Sequence, residues 1–249
     1  MDKSLNKFIS ETGFCSRREA DKYIKQGRVT INGNVAVKGN RVMAGDLVEL
    51  DGELLKKKDK TVYLVFNKPM GITCTTDTKV KHNIISFINY KCRIFPIGRL
   101  DKASEGLIFL TNDGDIVNKI LRAGNNHEKE YIVTTDRPVN AVFTDKMSNG
   151  IRILEKVTKK CFVRQEGKNR FRIILTQGLN RQIRRMCQVL GYQVTTLKRI
   201  RIMNISIADL PAGKWRYFTE EEIKTMEGLV ANSYKTAQAG DLIENDMQE

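Results

Sequence analysis

Lys56-Lys57-Lys58-Asp59-Lys60 holds no apolar anchor, and Val62-Tyr63-Leu64-Val65-Phe66 just after it is a continuous apolar run. The first stretch reads as a solvated linker. The second has the length and the β-favouring residues of a buried strand. Their junction sets the expected organisation: a small unit over residues 1–56, a linker over 57–61, and a larger domain over 62–230. From 231 to 249 the chain turns polar and acidic, the composition of a disordered tail.

Working back from the junction, the first unit reads as two helices and a small sheet. Ser4 can cap a short helix through Ser10 that stops at Gly13. Ser16, with Glu19 three residues on, signals a capping box, and Gly27 closes that second helix. Ala20, Tyr23 and Ile24 form its apolar stripe, with Arg18, Lys22 and Lys25 on another face. Val29–Val35, with Asn32-Gly33 inside it, reads as strand, turn and strand. Gly45-Asp46 turns the chain into the strand Leu47–Leu50. Such a unit has little core of its own.

Working forward, strands are expected at Tyr131–Thr135, Cys161–Val163, Phe171–Thr176, Val194–Leu197 and Ile200–Ile207. Helices are expected at Ile116–Ala123, Asn140–Asn149, Arg181–Leu190 and Glu220–Val230, with Asn180 and Thr219 as caps for the last two. Strands outnumber helices and do not alternate strictly with them. That favours an α+β fold with a mixed, mostly antiparallel sheet over a doubly wound one.

Composition narrows the function. The chain of 249 residues carries 43 Lys and Arg against 29 Asp and Glu, a net charge of +14. The surplus lies in the expected larger domain: 29 basic against 16 acidic side chains over residues 61–228. A polyanionic partner follows, nucleic acid before membrane, because no basic amphipathic anchor stands out. The apolar runs are too short for a transmembrane helix, and the N-terminus lacks a secretory signal, so a cytoplasmic protein is expected. Five scattered cysteines and two histidines offer neither a metal-ligand spacing nor a disulfide framework. No metal is expected.

Two segments could carry chemistry. Gly98-Arg99-Leu100-Asp101 precedes the apolar run Leu107–Leu110, which presents a carboxylate from a glycine-flanked turn at the head of a buried element. An aspartate in such a turn commonly serves only its own backbone. Leu179-Asn180-Arg181-Gln182-Ile183-Arg184-Arg185-Met186-Cys187 opens a helix with three arginines in its first positions, where cations are disfavoured. A nearby anion, a protein carboxylate or a phosphate, must compensate them.

Together with Asn67-Lys68-Pro69-Met70-Gly71 and Lys129-Glu130-Tyr131, these segments resemble, in order, the motifs of the RsuA/RluB/RluE/RluF group of bacterial pseudouridine synthases. Ser16–Asp21 and Val29–Gly33 are similar to the S4 RNA-binding domain that these enzymes carry. The resemblance spans about residues 3–228. It implies isomerisation of uridine in ribosomal RNA, 23S RNA above all, with a tRNA as a further substrate. The product is an isomer, so no cofactor is needed, and the sequence holds neither a G-x-G-x-x-G nor a P-loop.

The resemblance also assigns roles. Asp101 becomes the carboxylate at the ribose, either nucleophile at C1′ or base at C2′. Arg184 becomes the fixed cation that keeps it ionised, and Tyr131 stacks on the target base. Arg99 fills the gap left by a flipped nucleotide or holds its phosphate, and Lys68 and Arg181 become phosphate or rim contacts. In the S4-like unit, Arg17, Arg18 and Lys22 grip RNA through phosphates. Two other readings are a non-catalytic S4-type RNA- or ribosome-binding protein, which leaves Asp101 and Tyr131 without a purpose, and an S4-linked methyltransferase, which lacks a glycine-rich donor loop. Nothing in the sequence argues against a monomer.

Overall fold

A computed structural model describes residues 2–56 and 60–233. Most of the expected linker, and the expected disordered tail from residue 234 on, therefore lie outside the described residues. Contacts group residues 1–62, 90–94 and 112–114 into one unit and the remainder into a second. No break in composition signals the two later segments that join the first unit.

The first unit runs β1 (Lys3–Ser4), α1 (Leu5–Glu11), α2 (Arg17–Lys25), β2 (Val29–Ile31), β3 (Asn34–Val35), β4 (Arg41–Val42), β5 (Val48–Leu50) and β6 (Glu53–Leu54). The capping box forms as expected: the Ser16 hydroxyl accepts from the Glu19 N–H, and the Glu19 carboxylate accepts from the Ser16 N–H. Ser4 holds the cap position of α1 but its side chain makes no capping bond. Asn32 and Gly33 both take positive φ, the requirement of a tight hairpin turn between β2 and β3. Leu5, Ile9, Ala20, Ile24, Val29 and Val48 bury the small core. Arg17, Arg18 and Lys22 are exposed along α2.

The second unit contains β7 (Tyr63–Lys68), α3 (Ile84–Ile88), β8 (Phe95–Ile97), β9 (Glu105–Thr111), α4 (Gly114–Leu121), β10 (Lys129–Thr135), α5 (Ala141–Asn149), β11 (Arg152–Ile153) and β12 (Lys156–Val157). It continues with β13 (Phe162–Gly167), β14 (Arg170–Leu175), α6 (Gln182–Val189), β15 (Val194–Ile202), β16 (Ile205–Ser206), β17 (Trp215–Tyr217) and α7 (Glu220–Val230). The main sheet has the order β13-β14-β10-β15-β9-β7-β17, with β8 beside β9 and β16 beside β15. Among the described residues only β9 and β15 pair in parallel, so the sheet is mixed and mostly antiparallel, an α+β fold.

β7 is apolar from Tyr63 to Phe66 because that stretch is covered on both faces. Val65 joins Leu107, Phe109, Ile116, Ile120 and Met226 in one core, while Phe66 meets Phe87 of α3. Three departures from the sequence reading are informative. The strands expected at 194–197 and 200–207 are one strand to Ile202, because Lys198 and Arg199 interrupt the apolar pattern without interrupting the backbone. β8 and β17 are three-residue strands, and Pro96 within β8 hides its strand character. The cap position of α6 belongs to Arg181, in left-handed conformation, and not to Asn180, whose oxygens instead accept from Arg185.

Candidate active site

The sheet register places the site. Lys68 pairs with Gly106, Gly106 with Arg199, and Arg199 with Tyr131, so these four residues form one transverse row across β7, β9, β15 and β10. Gly106 is required there. Its φ is +106°, and a Cβ would lie 2.2 Å from the Arg199 carbonyl oxygen.

Asp101 sits in the loop between β8 and β9, at the head of that row. The loop is held at several points. The Leu100 N–H points at Cys74 Sγ at 3.5 Å, the Gly71 N–H donates to the Lys102 carbonyl at 2.8 Å, and the Ser104 N–H returns to the Asp101 carbonyl at 3.0 Å. Arg184, from α6, completes the clamp. Its guanidinium donates to the Ala103 carbonyl at 3.0 Å, to Ser104 Oγ at 3.1 Å and to the Val194 carbonyl at 3.1 Å. Those bonds leave Nε turned to Asp101 Oδ2, 3.7 Å away and beyond hydrogen-bond reach. Burial pushes the Arg184 pKa down, Arg181 adds to the effect, and Asp101 opposes it. Arg181 Nη1 lies 3.4 Å from the same carboxylate oxygen and is more exposed. The anion demanded by the arginine-rich helix start is thus present, in the same chain.

A cleft of about 890 Å³ opens beside this pair. Asp101 is the sole carboxylate in its described lining, against eight lysines and arginines, so the cleft attracts a polyanion. Arg99 lines it and is exposed. Tyr131 lines it from β10, largely buried, with its ring 5.9 Å from the Arg199 guanidinium.

Lys68 does not join them. The rim contact expected of it meets a side chain with no exposure, whose ammonium donates to the Pro69 and Ile72 carbonyls at 2.9 Å. Burial lowers its pKa, and Cys74 and Asp101 partly restore it. It holds the backbone turn that follows β7 and is not among the described residues that line the cleft. Arg17, Arg18 and Lys22 belong to the first unit and take no part in the cleft.

Sequence reading assigned nothing to Arg199, which lies at the centre of the row. The acid-free run Lys198–Arg201 was the available signal, but strand position alone brought Arg199 under Tyr131. Among the described residues no group of three acidic, histidine or cysteine side chains could hold a metal ion, and no helix is long and apolar enough to cross a membrane.

Known proteins share this sequence and fold. The model of the RNA pseudouridylate synthase family matches residues 62–189, and that of the S4 domain matches residues 4–48. The chain is 54% identical over 235 residues to the dual-specificity RNA pseudouridine synthase RluF of Salmonella typhi, covering 94% of this chain and 81% of the relative. It is 54% identical over 231 residues to the enzyme of the same name from Escherichia coli K12, covering 92% and 80%. A solved pseudouridylate synthase superposes with a TM-score of 0.67 at 29% identity, covering 90% of this chain and 99% of its own. By these similarities the chain belongs to the RNA pseudouridine synthases that carry an N-terminal S4 domain.

Proposed function

We propose that the enzyme isomerises a uridine of 23S ribosomal RNA, and one in a tRNA, with Asp101 as the reacting carboxylate. The facing of Asp101 and the buried Nε of Arg184 carries this reading. A carboxylate enclosed with its substrate loses hydration and drifts toward the neutral form. A guanidinium opposes that drift because it keeps its proton. Three hydrogen bonds fix Arg184, so the compensating charge is in place before RNA binds.

The target nucleotide must leave the stack to reach the cleft, at a cost of a few kcal/mol. Arg99 and Arg181, both exposed in the lining, suit its phosphates or the gap it leaves. Tyr131 offers its ring to the base. The S4 unit, residues 1–56, grips RNA through Arg17, Arg18 and Lys22, joined by residues 57–61 to a catalytic domain over 62–230. The dual specificity in the names of its relatives supports two RNA substrates, and the work reads as that of a cytoplasmic monomer. The reaction rearranges one nucleotide, so no donor or redox partner enters it.

Tritium release from uridine C5 tests the proposal, using 23S RNA and tRNA labelled at that carbon, without added cofactor. Wild type is expected to release tritium from both and Asp101→Asn from neither. Release by Asp101→Asn at the wild-type rate removes Asp101 from the chemistry. Release from tRNA alone removes 23S RNA as substrate.

A further inference from the structure

Three buried side-chain nitrogens or oxygens among the described residues have no hydrogen-bond partner, and two of them, Arg184 Nε and Arg199 Nη2, are on arginines of the cleft. Arg184 Nε has Asp101. Arg199 has no such partner. It is 4% exposed, its Nε donates to the Leu107 carbonyl at 2.6 Å, and its Nη1 reaches the Tyr131 hydroxyl at 3.5 Å. Beside it in the lining, Lys129 is 6% exposed and donates to the His127 carbonyl at 3.2 Å.

The next residues show how this fold neutralises a cation for structural ends. Arg201 is paired with Glu130 and Glu128, and Arg172 with Glu130 and Glu166. Lys129 and Arg199 have no carboxylate between them. Two buried like charges without a counter-anion are costly, and such cost persists where a ligand offsets it. Burial first, and the Arg199 charge second, depress the Lys129 ammonium pKa to about 8.

We propose that Lys129 and Arg199 receive the carbonyl oxygens of the target uracil and hold the negative charge the base acquires when its bond to ribose breaks. This rests on the proposed function and deepens it. By either route the electron pair of the C1′–N1 bond goes to the uracil ring. If Asp101 is the nucleophile, its oxygen bonds to C1′ as N1 departs. If Asp101 is the base, it takes the C2′ proton and the C2′–H pair forms the C1′=C2′ bond. The charge spreads from N1 to O2 and O4, within the chemistry of an ammonium and a guanidinium donor. It is discharged when C5 bonds to C1′, as the C1′–O bond to Asp101 breaks or Asp101 returns its proton to C2′; the C5 proton then leaves and N1 gains one. The cations then act as an oxyanion-type site at the opposite end of the reaction from Asp101.

The test compares wild type, Lys129→Met and Arg199→Lys in the full chain. It reads single-turnover tritium release at saturating 23S RNA, RNA affinity, and the melting temperature. Lys129→Met is expected to slow release about 100-fold, the loss typical of one such donor, while RNA affinity changes less than about 3-fold. Its melting temperature is expected to hold or rise, because a buried uncompensated charge has gone. Arg199→Lys keeps a cation but not the fork and is expected to slow release in the same sense. Release by Lys129→Met within about 3-fold of wild type overturns the proposal, as does a melting temperature lowered by about 5 °C or more, which marks the ammonium as structural. If wild type itself releases nothing, the proposed function fails separately, and the melting temperature alone decides whether Lys129 is an uncompensated cation: a rise supports the site, a fall overturns it.

Discussion

Residues 128–131 and 199–201 hold two clusters of charge, side by side on paired strands, that are built on opposite principles. Glu130 is largely buried and takes a guanidinium on each carboxylate oxygen, from Arg172 and Arg201. One register position away, Lys129, Arg199 and Tyr131 turn to the cleft with no acid among them. The first cluster is complete within the chain, and the second is complete only with a ligand. The contrast teaches where to look for function in a chain with 43 basic residues: not at charge as such, but at buried charge that the fold leaves without a counter-ion. Arg184 stands between the two, paired with an acid that is itself kept at the cleft.

The sharpest way to break this comparison is at Arg184. Arg184→Lys keeps the charge but cannot remake the three bonds to Ala103, Ser104 and Val194 while facing Asp101. Single-turnover tritium release should fall by about 100- to 1000-fold with RNA affinity nearly unchanged. A rate near wild type would mean that charge alone suffices.

Stability gives the next largest effect. Glu130→Ala removes the carboxylate that two arginines share, leaving each with one other acid, and should lower unfolding free energy by about 1–3 kcal/mol, read by denaturant unfolding. Lys129→Met, in the other cluster, should not lower it. Similar losses from both would erase the distinction.

The Lys129 ammonium also gives a pH signature. Its pKa of about 8 lies below the ordinary 10.5, so the folded state binds fewer protons than the unfolded state between those values. The penalty is fully present below about pH 8 and fades as pH rises toward 10.5, so this group's contribution to stability rises with pH over that window. The difference is worth roughly 3 kcal/mol at most. Lys129→Met should remove that slope, which pH-dependent melting of both proteins would show.

Smallest on chemistry is the S4 unit. Replacing Arg17, Arg18 and Lys22 together with alanine should weaken RNA binding and reduce its salt dependence, by about 0.7–0.9 in log–log slope for each phosphate no longer neutralised. Release from saturated RNA should stay near the wild-type rate. A drop in that rate equal to the one at Arg184 would show that exposed and buried cations do the same work.

Much of this was legible in the chain itself. The apolar run of β7, the capping boxes of α2 and α7, the Asn32-Gly33 turn and the surplus of strands over helices are local signals, set by neighbours within a few residues. They sufficed for an α+β class and for a division near the lysine run. The arginines at the start of α6 even announced an unseen anion, because a helix N-terminus disfavours cations. The ordered motifs singled out Asp101, Tyr131 and Arg184 as candidates. Their convergence was not legible.

What only tertiary structure decided is which cations are buried and which are paired. Lys68 looks in sequence like a surface lysine beside a proline, yet the sheet buries it and two carbonyls hold its ammonium. Arg199 looks like one arginine among several, yet the register with Gly106 and Tyr131 places it at the centre of the site. Gly106 reads as a turn glycine, and its reason is a carbonyl 93 positions further along the chain. Sequence patterns report the water-facing or core-facing preference of a segment, whereas pairing and desolvation depend on which distant strands lie side by side. That is settled only when the whole sheet closes.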